Sequence, residues 1–522
     1  MVQKWLKYFC MAVILSVLVV SVSGLGAKVG GTLTIALSKD PVTLDPTMAL
    51  DQYSMEIIDQ IFDRLVRFDQ DGVLMPSLAV SWENPETTRW VFSLRKDVPF
   101  HNGRSLTAAD VVWTMRRMMD PKTAAPRQRL YMVKEVKALD EFTVEFMLNE
   151  AFAPFLAILA NPGLSIIPKE EVERLGDDFA RNPVGSGPFK FVSWIQDKEV
   201  VLERFADYWA ARPNLDKVIF RAIPETAVAE MAVLTGDVDA IEDVLPDDVE
   251  YMKSVGNLQV MPGGGYYYIC INMHPERTSV YEKTGKNPFL DLRVRQALNL
   301  AFDIDEVLNA IYPGIGNSIR AYGILPPTSW AYNKEIEAVA LGHDLERAKQ
   351  LMAEAGYADG FECNILAMSD AARQAIAIIF QATLKKLNIE ATIDSPEFGT
   401  LLQRANDGDF DLSVFGWSGS PDPHDYLYWL LHSNNWGSGG NNAFYKNAQV
   451  DELLDNGAAA STLEARKSYY EAAQAIVAEE LPHIPLYWKP EFLATTSRVH
   501  DLQAHFQGWF TLVSPEVNVW VE

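Results

Sequence analysis

The sequence predicts a mixed α/β protein built from two lobes of similar plan. The stretch GGTLTIALS places apolar side chains at Leu33, Ile35 and Leu37, with the period of two that is typical of a strand. A second pattern occurs twice, in Glu225–Val244 and in Gly399–Trp417: a helical segment, a glycine, Asp-x-Asp and an apolar run. A helix that ends at a glycine and leads into a buried strand is a unit of an open α/β sheet. Two distant copies therefore indicate two lobes.

Capping signals place several helices along the chain. Thr107 with Asp110 has the spacing of a capping box, and so does Asp303 with Glu306. A third helix, amphipathic, begins near Glu464, is ended by a proline and leads into the strand IPLYW. These helices alternate with strand patterns, which supports the α/β class.

The N-terminal segment has the layout of a secretory signal peptide, predicted here as residues 1–27. Lys4 and Lys7 precede the apolar run Phe9–Val20, and small residues follow it. An uncleaved anchor is the alternative, although the run is shorter than the ~20 residues of a spanning helix. Cys10 lies inside the run and no cysteine follows the small residues, so no lipoprotein attachment point is present. The sequence therefore predicts a soluble periplasmic or extracellular protein, and the periplasm is the expected location.

Charge and cysteine content limit the partners. The 522-residue chain has a net charge of −25, which becomes −27 when residues 1–27 and their two lysines are removed. Such a surface repels polyanions, so no nucleic acid partner is expected. Cys270 and Cys363 follow the signal, and the sequence leaves open whether they form a disulfide. We expect a monomer.

Catalytic motifs are not complete in this sequence. No H-E-x-x-H occurs, and the segment Gly416–Ser420 lacks the final glycine of G-x-S-x-G. Neither a dinucleotide loop nor a phosphate loop is complete, so we expect no cofactor, no metal and no enzymatic activity. A secreted serine hydrolase that uses Ser418 or Ser420 is the alternative from another functional class.

The segment FGWSGSPDPHDYLYWLLH, from Phe415 to His432, is the candidate ligand site. Its aromatic density beside polar turns is typical of small-molecule pockets, and Trp417 follows a strand where α/β sheets place ligands. The helical spacing of Tyr426 and Tyr428 also fits an ordinary core, and an Asp next to a Pro also fits a helix cap. The predicted ligand-binding residues are Trp417, Ser418, Gly419, Ser420, Asp422, His424, Tyr267 and Trp436.

Several stretches resemble the family 5 extracellular solute-binding proteins of ABC transporters, which include dipeptide, oligopeptide and nickel-complex binders. Among them are WVFSLRKDVPFHNGRSLTAADVVWTM, PVGSGPFKFVSW and FLDLRVRQALNLAFD, and the match runs in order from Gly30 to Trp488. The resemblance implies a two-lobe periplasmic-binding-protein fold with an extra subdomain in the first lobe and two hinge strands. Its expected divisions are 1–27 signal peptide, 28–75 first part of the lobe I core, 76–185 extra subdomain, 186–265 second part of the lobe I core, 266–484 lobe II, and 485–522 return to lobe I.

The same resemblance implies capture of a peptide or similar small solute between closing lobes, for delivery to a membrane permease and ATPase. Dipeptide-binding relatives carry an Asp after a Trp-x-Gly motif, where this chain has Ser420. Nickel-binding relatives carry an Arg shortly before an Ile-x-Pro motif. The corresponding segment here is LSIIP, Leu164–Pro168, and it contains no Arg. A metal complex and an oligosaccharide are therefore alternative ligands, and a periplasmic sensor or chaperone is an alternative role.

Overall fold

The structure is a computed structural model that describes residues 28–49, 51–70, 72–124, 130–255, 257–368, 370–396, 398–437, 440–504 and 510–522. Its helices are α1 (Gln52–Ile61), α2 (Ala108–Met119), α3 (Phe155–Leu159), α4 (Lys169–Leu175), α5 (Thr226–Thr235), α6 (Val249–Val255), α7 (Ser279–Thr284), α8 (Leu292–Ala301), α9 (Ile304–Ile311), α10 (Glu335–Val339), α11 (Leu345–Glu354), α12 (Ala371–Lys385), α13 (Phe398–Asp407), α14 (His424–Leu431), α15 (Ala448–Ala459) and α16 (Leu463–Glu480).

The strands form one large sheet, one smaller sheet and short hairpins. They are β1 (Thr32–Leu37), β2 (Val66–Phe68), β3 (Leu74–Pro76), β4 (Ala79–Glu86), β5 (Arg89–Leu94), β6 (Val133–Asp140), β7 (Thr143–Leu148), β8 (Phe189–Ile195), β9 (Glu199–Arg204), β10 (Lys217–Ala222), β11 (Ala240–Ile241), β12 (Asn257–Ile271), β13 (Glu362–Ala367), β14 (Glu390–Asp394), β15 (Leu412–Ser418), β16 (His483–Thr495), β17 (Val499–His500) and β18 (Trp520–Val521).

The large sheet has the order β14-β13-β15-β12-β16-β11-β1-β10-β9-β8. In the first lobe, β1 is parallel to both β10 and β11, and in the second lobe β13 is parallel to both β14 and β15. The long antiparallel strands β12 and β16 stand between these two groups. The predicted two-lobe α/β fold with two connecting strands is confirmed.

The helix-glycine-Asp-x-Asp units found in the sequence are structurally equivalent. Gly236 after α5 and Gly408 after α13 both adopt left-handed backbone conformations, with φ of 79° and 76°, which glycine adopts at little cost. The next strand of each unit then begins behind an aspartate. The Asp239 carboxylate accepts a hydrogen bond of 2.8 Å from the Thr34 N–H on β1, and Asp411 accepts one of 2.8 Å from the Asn364 N–H on β13. Each lobe thus repeats one local plan.

The strands β12 and β16 belong to both lobes. β12 pairs with β15 in the second lobe, whereas β16 pairs with β11 in the first. Their mutual pairing runs from Asn257 to Pro262, is interrupted by a register shift, and resumes at Tyr266 opposite Trp488. The interruption contains Gly263 to Gly265, where the chain passes from one lobe to the other.

The first lobe carries an additional four-stranded antiparallel sheet in the order β4-β5-β7-β6. α2 covers it, and its core includes the fully buried Phe92, Met115 and Phe146. The predicted capping box at the start of α2 is confirmed, since Thr107 and Asp110 make both reciprocal bonds. This unit is the extra subdomain that the resemblance implied.

The glycine-rich turn Gly185–Gly187 is shaped by close packing on the end of α1. A Cβ on either glycine would collide with the backbone around Ile61. Between the two glycines, the Ser186 hydroxyl donates to Asp63 at 2.9 Å, and Tyr208 and Trp209 also donate to that carboxylate. Burial raises the pKa of Asp63 to about 6. The turn therefore has a structural role, in packing against the end of α1.

Other predicted elements agree with the structure in type and differ in extent. Leu33, Ile35 and Leu37 are buried on β1, and Asp303 caps α9 by accepting from the Glu306 N–H. The strand predicted after the third helix continues through Thr495, well beyond IPLYW, because it crosses into the first lobe.

The two cysteines that follow the predicted signal are buried and free. No disulfide joins them in the structure, which settles the alternative that the sequence left open. The predicted signal peptide, residues 1–27, lies outside the described residues. Among the described helices, none is long and apolar enough to cross a membrane.

Candidate ligand site between the lobes

The strand register brings the carboxyl ends of parallel strands from both lobes toward the middle of β12 and β16. β11 pairs Ile241 with Ala494, so its chain continues alongside β16 toward Glu491. β15 pairs Ser418 with Gly265, so its chain continues toward Gly264 from the opposite side. Ligands of α/β sheets bind at the carboxyl ends of strands. The candidate site is therefore the cleft at the centre of the hinge strands.

The second lobe contributes a wall of stacked rings under a guanidinium. Tyr267 on β12 stacks on Tyr487 of β16 with ring centroids 4.7 Å apart, and the Arg373 guanidinium lies 4.4 Å above the Tyr267 ring. Asp370 accepts from Arg373 at 2.7 Å, which holds the guanidinium in place at the start of α12. A Cβ on Gly416 would lie 2.9 Å from the Arg373 Nη2 atom. Glycine at 416 thus leaves room for the arginine.

The hinge strand β16 contributes opposite charges to the same cleft. The Lys489 ammonium lies 3.8 Å from the Glu491 carboxylate and within electrostatic range of Asp243, Tyr267 and Tyr53. Burial disfavours the charge on Lys489, but the carboxylates of Glu491 and Asp243 outweigh it and raise the pKa of Lys489. Burial raises the pKa of Glu491 to about 7, against the effect of Lys489.

The first lobe contributes a buried pair of carboxyl groups beneath the cleft. Glu56 on α1 is fully buried, and neither of its carboxyl oxygens accepts a hydrogen bond from a described residue. Glu242, directly after β11, is its neighbour, and burial raises the pKa of both groups. Burial removes hydration from these carboxylates and their like charges repel, so Glu56, whose pKa is raised to about 8, holds a proton at neutral pH. On the same helix, the Tyr53 hydroxyl contacts that of Ser38 at 2.6 Å.

Trp417 and the turn after it lie at the end of β15, and two residues of α14 hold that turn. The half-buried Trp417 indole donates to the Asp425 backbone carbonyl at 2.7 Å. Ser418 is exposed, and the Ser420 N–H donates to the Asp425 carboxylate at 2.9 Å. The Gly419 carbonyl accepts from the Tyr426 hydroxyl at 3.2 Å. The turn is therefore fixed from below, while Ser418 stays accessible.

Asp422 lies in an internal ion pair. It is 6% exposed, and both its oxygens accept from Arg466 Nη2, at 2.7 and 2.9 Å. It also accepts from the His424 N–H at 3.0 Å, the first N–H of α14. These contacts match the helix-cap alternative, and they leave the Asp422 carboxylate little capacity for a ligand.

His424 lies where the two lobes touch. Its ring meets Phe152 of the first lobe edge-on at 5.1 Å and stacks on Tyr428 at 4.5 Å. Burial lowers the pKa of His424 to about 4, so the ring is neutral at neutral pH. Beside it, the Ala153 N–H donates to the Ala458 carbonyl at 2.7 Å. These contacts connect the extra subdomain to the second lobe.

Trp436 packs against other side chains of the second lobe. Its indole donates to the Tyr445 carbonyl at 2.7 Å, and its ring lies against His274 and Phe444. Of the predicted residues, the structure thus places Tyr267 in the stacked wall and Trp417 to Ser420 at the adjoining strand end. Asp422, His424 and Trp436 lie in the supporting structure around it.

Sequence reasoning missed the charged residues of the cleft, namely Arg373, Lys489, Glu491, Asp243 and the pair Glu56 and Glu242. One signal was available for two of them. Lys489 and Glu491 interrupt an otherwise apolar strand, and such charges inside a strand need partners. Arg373 carried no comparable signal, because an arginine three residues after a helix-capping aspartate is typical of an exposed first turn.

Two α/β lobes joined by hinge strands, with polar and aromatic groups from both lobes around one cleft, define a solute-binding protein of the periplasmic type. The family described as bacterial extracellular solute-binding proteins, family 5, middle part, matches residues 73–438. The chain belongs to this family.

Similar proteins cover nearly the whole chain. Heme-binding protein A of Haemophilus influenzae is 31% identical, over 90% of this chain and 89% of its own. The probable D,D-dipeptide-binding periplasmic protein DdpA of Escherichia coli is 30% identical, over 90% of each. Among solved structures, the periplasmic binding protein DppA of Helicobacter pylori in complex with the peptide STSA has a TM-score of 0.76 at 30% identity, covering 95% of this chain and 99% of that one. HbpA2 of Haemophilus parasuis has a TM-score of 0.84 at 26% identity, covering 94% and 100%.

Proposed function

We propose that this protein is the substrate-binding component of an ABC importer and captures a peptide or similar small solute in the cleft. The observation that carries the proposal is the placement of opposite charges on its walls. Arg373 stands over Tyr267 on the second lobe, and Asp243 lies on the first lobe near Glu491 of the hinge. Related proteins whose names state peptide ligands support the same class.

In this proposal the ligand is a zwitterion that spans the cleft. Its carboxylate pairs with Arg373, because a guanidinium presents a rigid fork of donors that suits carboxylates. Its amino group faces Asp243 and Glu491, which take the place of the aspartate that dipeptide-binding relatives carry where this chain has Ser420. Tyr267 and the segment Trp417–Ser420 provide apolar and hydrogen-bonding contact along the ligand.

A ligand held by groups of both lobes binds the closed state better than the open one, so it shifts the population toward closure. The closed form then docks on a permease that works with an ATPase. The protein acts as a periplasmic monomer after loss of residues 1–27, without cofactor and without catalysis. The remaining proposed divisions are 28–75, 76–185, 186–265, 266–484 and 485–522.

The first test is native mass spectrometry of the mature chain purified without refolding, followed by release and identification of any bound molecule. The second is calorimetric titration with dipeptides, their C-terminal amides and their N-acetyl forms. Amidation is expected to weaken binding, and the loss caused by amidation is expected to disappear in Arg373→Gln. Equal affinity for all three forms, in wild type and variant, would contradict the proposed orientation. Glu83→Gln, on the exposed strand β4, is the matched surface control.

A further inference from the structure

The second lobe contains a cavity on the face of the hinge strands opposite to the cleft. Side chains alternate along a strand, so Tyr267 faces the cleft while the neighbouring Tyr266 faces the cavity. The cavity is partly open to solvent. It lies between β12, β16, α10 and α16, and residues of both hinge strands, including His483, line it.

The lining combines an apolar body with one cation. Apolar wall is supplied by Ile324, Leu341, Leu427 and Val477, and Arg320 is the only charged residue among the described residues that line the cavity. This composition is unusual in a chain of net charge −25, because no carboxylate of a described residue lines the space. The cavity therefore suits an anion with an apolar part.

Arg320 is fixed by contacts that use only part of its guanidinium. Its Nη1 atom donates to the Pro485 carbonyl at 3.0 Å and its Nε to Asp305 at 3.1 Å, whereas its Nη2 donates to no described residue. Asp305 is two-thirds exposed, so water screens its charge. The side-chain amide of Asn299, a residue that is 6% exposed and lines the same cavity, also makes no hydrogen bond to a described residue. Both residues thus bring unused hydrogen-bond donors to the lining of the cavity.

Two further lining residues carry buried polar atoms without partners. The Tyr266 hydroxyl and the His483 Nδ1 atom are inaccessible and make no hydrogen bond to a described residue, and the residues are 0% and 3% exposed. Buried polar groups in folded proteins are nearly always satisfied, so each orphan needs a partner. Both residues line the cavity, and the Arg320 charge acts on Tyr266. Because these two atoms are inaccessible in the structure, a ligand pairs with them only after a side chain of the wall moves.

We propose that this cavity is a second binding site, separate from the interlobe cleft, for a small carboxylate with a compact apolar body. The carboxylate lies against Arg320 and Asn299, and the apolar part lies against Leu427 and Val477. Apart from Pro485 on the hinge strand β16, the described residues that line the cavity belong to the second lobe, so the site does not depend on closure.

The test is ligand-observed NMR titration of the full mature chain with benzoate, hexanoate, benzyl alcohol and benzylamine. Benzoate or hexanoate is expected to bind saturably, at least tenfold more tightly than the alcohol, with no binding of the amine. Ala478→Phe fills the cavity from α16 and is expected to abolish binding, while Ala475→Phe, on the exposed face of the same helix, keeps it. Arg320→Gln is expected to remove the preference for the acid.

The variant Arg373→Gln distinguishes binding in the cleft from binding in the cavity. It weakens the binding of any acid in the cleft and leaves the cavity intact. Persistence of benzoate binding in that variant supports the second site, whatever the cleft binds. Loss of benzoate binding in Arg373→Gln together with its retention in Ala478→Phe would overturn the proposal. So would no binding of either acid to a folded wild-type chain. Urea unfolding of each variant confirms that the comparison is made on folded protein.

Discussion

The buried pair of Glu56 and Glu242 predicts an inverse dependence of stability on pH. In Glu56→Gln, one buried titratable group is replaced by a neutral group of the same shape. The wild-type carboxyl is protonated in the folded chain and ionised in the unfolded chain above about pH 5, because the unfolded pKa is ~4.3. The folded chain therefore holds one proton that the unfolded chain lacks. As a result, the free energy of unfolding falls as pH rises, and the fall ends where the pH passes the raised pKa of Glu56 in the folded state.

One proton difference corresponds to about 1.4 kcal/mol per pH unit. The stability of Glu56→Gln relative to wild type is therefore expected to rise by about 1 kcal/mol for each unit between about pH 6 and about pH 8. Urea unfolding followed by tryptophan fluorescence at several pH values measures this slope difference. The control is Glu83→Gln, which removes an exposed carboxylate. Parallel pH profiles for wild type and Glu56→Gln would refute the assignment of a retained proton.

Three other substitutions test the cleft and its supports. Trp417→Ala is expected to weaken ligand binding by about 1 kcal/mol or more in a folded chain, because an aromatic ring that stacks on the ligand is lost. Calorimetric titration measures the affinity, and an unchanged affinity would show that Trp417 only supports the strand end. Asp422→Asn is expected to destabilise the chain by about 3 kcal/mol, since it leaves the Arg466 charge buried without a counter-ion; an unchanged urea midpoint would contradict the buried ion pair. Phe152→Ala removes a contact between the lobes and is expected to increase the radius of gyration of the unliganded chain in solution scattering. Tyr251→Ala, at an exposed aromatic residue of α6, is the control. Identical scattering of both variants would count against a closing role.

The sequence was most informative where one local rule fixes the conformation. The glycines Gly236 and Gly408 and the capping pair Thr107 and Asp110 act over a few residues, so their structures follow from spacing alone. The charged cleft could not be predicted in this way. Arg373 and Tyr267 meet only because α12 and β12, distant in the chain, pack together. The same holds for Asp422, whose partner Arg466 belongs to another helix.

The aspartates that precede β11 and β15 have a mechanical consequence. Each clamps its own strand to the neighbouring parallel strand, through Asp239 to Thr34 in one lobe and Asp411 to Asn364 in the other. Bending within either lobe would break such a clamp together with a ladder of backbone bonds. The stretch Gly263–Gly265 resists bending least, because it has no ladder bonds to β16 to lose and only Gly265 in it pairs with β15. The two lobes thus move as rigid bodies about this short segment. A small change in a few of its backbone torsion angles displaces the far edges of the lobes by many ångströms.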